Sequence, residues 1–257
     1  MKILSILSCL VLFCCFSAYA AELDRASVEK LLSQNHGSKP ADLRRKDLTD
    51  LDLSNLNFTH ADLWGSDLRR SNLSNSNLSG LILDLTVMTK INLSGANLTN
   101  TSIFGVHMVG ANLSGANLKH SRFIANLDRS NLSHADLTDA QWGVDMKNQP
   151  MGLMRVSLNS VNLSGADLTG ADLNRALLKH ANLTGAKLRN TNLMGADLAV
   201  ADFTNADLSG ADLTGTNLTD ANFSGSNLEG TQFPEIKDRS TLKGLETSKN
   251  LEKAIFR

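Results

Sequence analysis

Six histidines, three cysteines and a large set of aspartates are the residues of this 257-residue chain that could do chemistry. His36, His60, His107, His120, His134 and His180 show neither a His-x-His nor a His-Glu-x-x-His spacing, so they offer no metal site. The aspartates recur at one regular polar position. A carboxylate facing water keeps an ordinary pKa and makes a poor general acid. No glycine-rich loop runs into a helix in the phosphate-cradling manner. The sequence therefore assigns no catalytic residue, cofactor-binding residue, metal ligand or cofactor.

The cysteines belong to a different argument. Lys2 is followed by an apolar run from Ile3 to Phe16 and then by Ser17-Ala18-Tyr19-Ala20. A charged start, an apolar stretch and a small-x-small end make a secretory signal over residues 1–20, cleaved after Ala20. The run is too short to cross a bilayer, which takes about 20 apolar residues. Acylation at Cys14 or Cys15 is the competing reading. It puts Phe13 or Cys14 directly before the modified residue, where a small side chain is expected. Cys9, Cys14 and Cys15 all fall in the signal, so the exported chain has no thiol and no disulfide to stabilise it. Without Lys2 it carries 24 basic and 26 acidic residues, a net charge of −2. That balance points to no nucleic-acid partner, and no second hydrophobic segment predicts stable membrane insertion.

The period of the remaining chain is five. From Leu43 an apolar residue returns at every fifth position through Leu48, Leu53 and Phe58 as far as Phe123. The phase slips by one residue near 124–127 and continues at Leu127, Leu132, Leu137 and Trp142. After an interruption at residues 143–150 the spacing resumes at Leu153 and runs to Phe233, giving about 38 repeats in all. Two residues before each centre stands a small or β-branched residue, usually Ala. Asp or Asn lies between them, and Ser/Thr then Gly commonly follow the centre, as in Ala166-Asp167-Leu168-Thr169-Gly170. A five-residue period precesses around a helix and alternates sides along a flat strand, so neither element explains it. A short extended segment does, with the small residue and the centre pointing inward and the remainder turning a corner.

Tandem Ala-Asp-Leu-Ser-Gly and Ala-Asn-Leu-Thr-Gly units over residues 41–233 resemble the pentapeptide-repeat family. The resemblance implies an all-β solenoid, a right-handed quadrilateral β-helix with four repeats to a coil and short helical caps. The chain then divides into a signal peptide (1–20), an N-terminal helical cap (21–40) and a first array (41–142). An insertion loop (143–150), a second array (151–233) and a C-terminal cap (234–257) complete it. Val28, Leu31 and Leu32 would form the inner face of the first cap; Leu242, Leu245, Leu251 and Ile255 would cover the other end. A twenty-residue coil would stack Asn57, Asn77, Asn97 and Asn117 into an amide ladder and Ser164, Thr184, Thr204 and Ser224 into a hydroxyl ladder. Asp167, Lys187 and Asp207 would alternate in sign, and Phe203 would stack on Phe223.

One region breaks the polar-surface rule. Ile82 and Val87 replace the usual Asp or Asn, Leu85 replaces a corner glycine, and Trp64, Phe104 and Ile124 occupy outward positions. Such a cluster marks an interaction site, for a protein partner or for self-association, unless the cap or the insertion covers it. The expected function is an exported, non-enzymatic interaction scaffold in the periplasm or outside a bacterial cell. The resemblance also implies an alternative, since some family members look like acidic DNA duplexes and bind gyrase. The export signal and the charge of −2 argue against it. A glycan-binding or glycan-acting β-helix is the remaining alternative; the hydroxyl ladder would serve binding, and the enzyme reading rests on fold analogy alone.

Overall fold

The computed structural model describes residues 23–34, 39–144, 154–236 and 241–256. The signal segment, most of the insertion and Leu153 lie outside the described residues. Among those described, no helix is long and apolar enough to cross a membrane.

The fold is a β-helix solenoid whose unit is one repeat. Each centre packs inward: Leu48, Leu53, Leu113 and Leu213 are all fully buried. The residue two before it is usually buried as well, and where it is Ser or Thr its hydroxyl commonly bonds to a backbone carbonyl. Ser66 Oγ donates to the Leu63 carbonyl at 2.8 Å, and Thr191 Oγ1 to that of Leu168, one coil away, at 2.8 Å. Polar residues are thereby admitted to an apolar core without an unmade hydrogen bond. The intervening Asp or Asn turns its side-chain oxygen onto the backbone N–H two residues on, as Asp47 does to Thr49 at 3.0 Å. The N–H three residues after the centre donates back to the centre's carbonyl, as Ser66 does to Leu63 at 3.0 Å. The residue before that donor is left-handed at corner after corner: Gly65 has φ 67°, Asn75 56° and Arg175 58°. A closed four-residue turn with positive φ at its third residue is type II, which favours Gly and Asn there.

Coils are joined by backbone bonds at a fixed offset. Leu73 N–H donates to the Asn92 carbonyl at 2.7 Å, and Asn92 N–H donates back to Ser71 at 2.9 Å. Isolated parallel bridges repeat at a twenty-residue spacing, Asn57 to Asn77 to Asn97 to Asn117, so four repeats make one coil. We name the faces by their centres in the first coil: A (Leu43), B (Leu48), C (Leu53) and D (Phe58). Two-residue strands β1 (Ala41–Asp42) and β2 (Ala61–Asp62) pair on face A. Longer strands form at a single place, where β3 (Ser102–His107) pairs with β4 (Arg122–Asn126). Their register shifts between Phe104 and Val106, which leaves Gly105 as a bulge. The expected phase slip is this missing residue at the corner between faces A and B. The chain also leaves at that corner after Trp142: Asn126 pairs with Ser157, thirty-one residues on rather than twenty.

Both ends are closed. Helix α1 (Arg25–Ser33) is capped by Asp24, whose carboxylate accepts from Ser27 N–H at 2.8 Å, and it buries Val28 fully, with Leu31 and Leu32 packed partly against the core. Arg25 donates to the carbonyls of Asp52 and Ser54 in the first coil. The C-terminal segment is a degenerate last coil. Lys243 bridges to Asn222 and Lys249 to Asn227, and β5 (Gln232–Phe233) pairs with β6 (Ile255–Phe256). Leu242 and Leu245 are buried as expected. Ile255 instead points to solvent, because parallel pairing with Gln232 assigns it the outward position and gives the inward one to Phe256. Phe256 stacks on Phe233 with centroids 4.8 Å apart. Inside the rod Phe203 stacks on Phe223 at 5.0 Å and Phe123 on Trp142 at 4.7 Å.

The amide ladder runs on face C, one face from the expected column. Asn72, Asn92 and Asn112 each donate to the residue one coil before, at 3.0, 2.8 and 3.0 Å. The hydroxyls of Thr204 and Ser224 bond locally to Asp202 and Asn222. Lys187 pairs with Asp167 at 3.1 Å, while Asp207 takes Arg189 at 2.5 Å.

Gly244 (φ 70°) fixes the last coil: a Cβ there would lie 2.7 Å from both N and Cα of Ser224. Gly115 has the same backbone sign, and a Cβ there would meet nothing within 4 Å. We expect Gly115→Ala to cost about 1 kcal/mol, the left-handed penalty alone. Gly244→Ala should cost more and free the last coil. Hydrogen exchange at Lys243 and Lys249, whose amides bond to Ala221 and Ser226, measures it.

Candidate interaction surface

The outward positions of faces C and D and of their shared corner hold Asx, Ser/Thr and Gly, with His134 and Lys187 as the departures, and no apolar side chain among the described residues. The corner between A and B is different. There Ile82 is 64% exposed, Leu85 55% and Phe104 38%, with Val87 also exposed on face B. Parallel bridges set Ile82 beside Ser102 and Val87 beside His107. The Phe104 N–H donates to the Asp84 carboxylate one coil below at 2.9 Å, which ties the bulged corner to its neighbour.

Two expected members sit differently. Ile124 is 2% exposed. The one-residue deletion removes its left-handed corner partner, so Arg122–Asn126 runs as one strand in which Phe123, Ile124 and Ala125 are all buried. Trp64 is half-buried, with the Arg45 guanidinium 4.9 Å above its ring. The patch therefore centres on Phe104 and Leu85. Helix α1 does not reach it: Leu32 and Ser33 border Leu56, Asn57 and His60 of the first coil.

Sequence reasoning missed three members. Met154, Met194 and Val200 are exposed, and every exposed large apolar side chain among the described residues lies on faces A and B or their bordering corners. Met194 holds a position where Ser or Thr is usual and Val200 one where Gly or Asn is usual, so the outward-position rule that found Ile82 also finds them. Next to the patch an open cleft of about 320 Å³ is lined by Val106, His107, Ile124, Met154 and Arg155. Its mouth exists because one coil is a residue short and the next leaves the rod.

Leu85 and Val200 are also strained. Both have φ 61°, a region in which bulky or β-branched residues are rare. An exposed apolar side chain on a strained backbone is a feature that folding alone does not call for.

Charged groups pair with one another along the surface of the rod. Hydrogen bonds from Arg44 pull Asp42 down to about 2, and those from Thr49 and Arg70 lower Asp47 and Asp50. Burial pushes Asp136, Asp167 and Asp207 up, but hydrogen bonds from Thr138, Thr169 and Arg189 with their cationic neighbours outweigh it and leave all three lowered. No group of three His, Cys, Asp or Glu among the described residues is placed to hold a metal ion.

Residues 156–233 match the family described as "Pentapeptide repeat region", and residues 52–89 and 91–124 match "Pentapeptide repeats (8 copies)". No curated protein matches the chain. Among solved structures it is similar to HetL, a pentapeptide repeat protein involved in heterocyst differentiation regulation from the cyanobacterium Nostoc sp. strain PCC 7120. Identity is 30% over 91% of this chain and 94% of that one, with a TM-score of 0.34. Rfr23 from the cyanobacterium Cyanothece 51142 is 26% identical over 51% of this chain and 91% of that one, TM-score 0.40. QnrB1, a plasmid-mediated fluoroquinolone resistance protein, is 19% identical over 74% of this chain and 91% of that one, TM-score 0.34.

Two outcomes follow from the geometry. Leu85→Gly should raise stability in urea by about 0.5–1 kcal/mol, since glycine tolerates this backbone and leaves no apolar group in water. Destabilisation by the same amount would mean that Leu85 is core. Carboxylates with lowered folded pKa values stabilise the rod above their unfolded value near 3.9 and lose that contribution as pH falls through the folded value. The melting temperature should stay level from pH 7 to about 5 and drop between about pH 5 and 2. A level profile down to pH 2 contradicts the assignment.

Proposed function

The chain belongs to the pentapeptide-repeat family, and from that premise we propose that it is an exported, non-enzymatic scaffold that docks a protein partner on its A/B corner. The coil is taken as the right-handed quadrilateral of that family. The observation that carries the reading is the segregation of exposed apolar side chains to one flank, around Phe104 and Leu85, on a rod otherwise sheathed in polar side chains. Soluble chains rarely collect such groups without a use for them. The packed Leu and Ala interior offers no chamber for a substrate, which favours recognition by surface over catalysis. The apolar start of the sequence, with Ser17-Ala18-Tyr19-Ala20 at its end, supports cleavage after Ala20 and delivery to the periplasm or beyond.

A photo-crosslinking residue at position 104 should give discrete protein adducts in cells, and the same residue at Ser114, on the C/D corner, should give none. Equal yields at the two positions would sink the docking surface. Fractionation with intact-mass analysis tests the address: a chain beginning at Ala21 outside the cytoplasm is expected, and an uncleaved cytoplasmic chain overturns export.

A further inference from the structure

The exposed apolar groups around Phe104 have a relief of their own. Counting coils from Leu43, the A/B corner carries Asp84 and Leu85 in coil 3 and Phe104 and Gly105 in coil 4. Leu85 is a knob, 55% exposed and aimed by a left-handed turn with φ 61°. Gly105, one coil on, is a hollow. It bulges out of the β3–β4 register, and a Cβ added there would meet nothing within 4 Å. Ile82 and Ser102 repeat the contrast on face A, and Val87 and His107 on face B, each pair joined by a parallel bridge. At all three positions coil 3 presents a large apolar side chain and coil 4 a small or polar residue.

We propose that the occupant of this surface is a second copy of the chain, its rod lying antiparallel to the first about a two-fold axis between coils 3 and 4. The second copy fills the docking surface proposed above and stands on that reading. A two-fold contact must be self-complementary, residue i meeting j while j meets i. An axis at that height, perpendicular to both rods, sets coil 3 of each copy opposite coil 4 of the other. Leu85 then enters the hollow at Gly105 twice over, beside the opposed Phe104, while Ile82 faces Ser102 and Val87 faces His107. Asp84, the charged residue of this stretch of corner, is turned onto the Phe104 N–H of its own chain.

Repeat length favours a rod as the partner. Two copies share one coil repeat of about 4.8 Å and stay in register at every coil. A helix turn of about 5.4 Å slips against the corner by about 0.6 Å per coil, and an extended strand by about 2 Å. Sign favours the antiparallel direction. In that pair face A meets face A, and Asp62 stands opposite Arg122. A parallel pair would set face A against face B, with Asp42 opposing Asp47 and Asp62 opposing Asp67. Asp62 and Arg122 both have contacts inside their own chain, so their meeting fixes orientation and adds little affinity. The contact is also small. Stable interfaces take about 20–30 residues a side. Four exposed apolar side chains give a reversible dimer instead, dissociating at about 10–100 µM.

Sedimentation equilibrium of the full mature chain, from about 1 µM to about 1 mM, should show monomers passing into dimers. Leu85→Gly should weaken the dimer at least about tenfold while raising stability, so its effect cannot come from misfolding. Gly105→Asn keeps a residue that tolerates the left-handed corner but fills the hollow, and should weaken the dimer as much. Combining Leu85→Gly with Gly105→Leu exchanges knob and hollow and should restore it, and Ser114→Asp should leave it unchanged. A dimer indifferent to Leu85→Gly, or a folded double variant that stays monomeric, overturns the two-fold contact. The position-104 crosslink separates this inference from the reading beneath it. An adduct of twice the chain mass is expected. An adduct with a different protein, from a chain that stays monomeric throughout, overturns the second copy and leaves the docking surface standing. With neither adduct nor dimer, both fall.

Discussion

A chain that turns a corner every five residues can bond to itself only if it arrives above its own path, and that closure governs everything else in the molecule. The N–H of a centre such as Leu73 must meet the carbonyl of Asn92, and the N–H of Asn92 must meet that of Ser71. A face cannot gain or lose a residue without turning its centre from the core to water, because side chains alternate along an extended segment. A corner can. The missing residue between Ile124 and Ala125 and the long excursion after Trp142 both fall at the A/B corner. Faces C and D keep their pairing through both: Asn112 to Asn131 to Asn162, and Asn117 to Asp136 to Asp167.

The same constraint divides the surface. Face C is committed to a chain of side-chain amides in which each rung donates to the one before it, from Asn72 on Asp52 to Asn182 on Asn162. A rung lost from such a chain leaves its neighbours short of a partner, and networks of this sort cost more to break than one bond is worth. The A/B corner carries no such ladder through Leu85, Phe104 and Met194. It can therefore hold side chains that serve an outside purpose without loosening the rod.

These relations explain what was legible in the sequence. The period, the inward pairs, the α1 cap and the stack of Phe203 on Phe223 follow from spacing alone, since position within the repeat dictates direction. Ile124 departs from its expected outward position because its direction depends on the deletion beside it, and a rule that counts in fives takes no account of a corner that has lost its left-handed residue. The spacing predicts an amide ladder at Asn57, Asn77, Asn97 and Asn117. The backbone register there is as expected, but side-chain donation is decided by rotamers, and it runs continuously on face C. At the C-terminus the repeat fades from the sequence while the backbone continues it. Ile255 and Phe256 exchange the expected roles because pairing with β5, rather than hydrophobicity, decides which faces inward.

Leu85 and Val200 bear on what the exposed flank can be. An L-residue in the left-handed region gives up about 1–2 kcal/mol, and an apolar side chain held in water gains nothing in return from the fold. Glycine fills the corner position equivalent to Leu85 at Gly65, Gly105 and Gly195, and that equivalent to Val200 at Gly110, without either cost. What the strained residues do possess is a fixed direction. Each stands on a turn closed by a backbone hydrogen bond, Thr86 N–H to Leu83 and Ala201 N–H to Leu198. A side chain already aimed by a rigid turn loses little freedom when a partner lands on it, so more of its contact energy survives as affinity. That preorganisation is a means of recognition the architecture leaves open, and Leu85 holds it on the flank where the apolar groups collect.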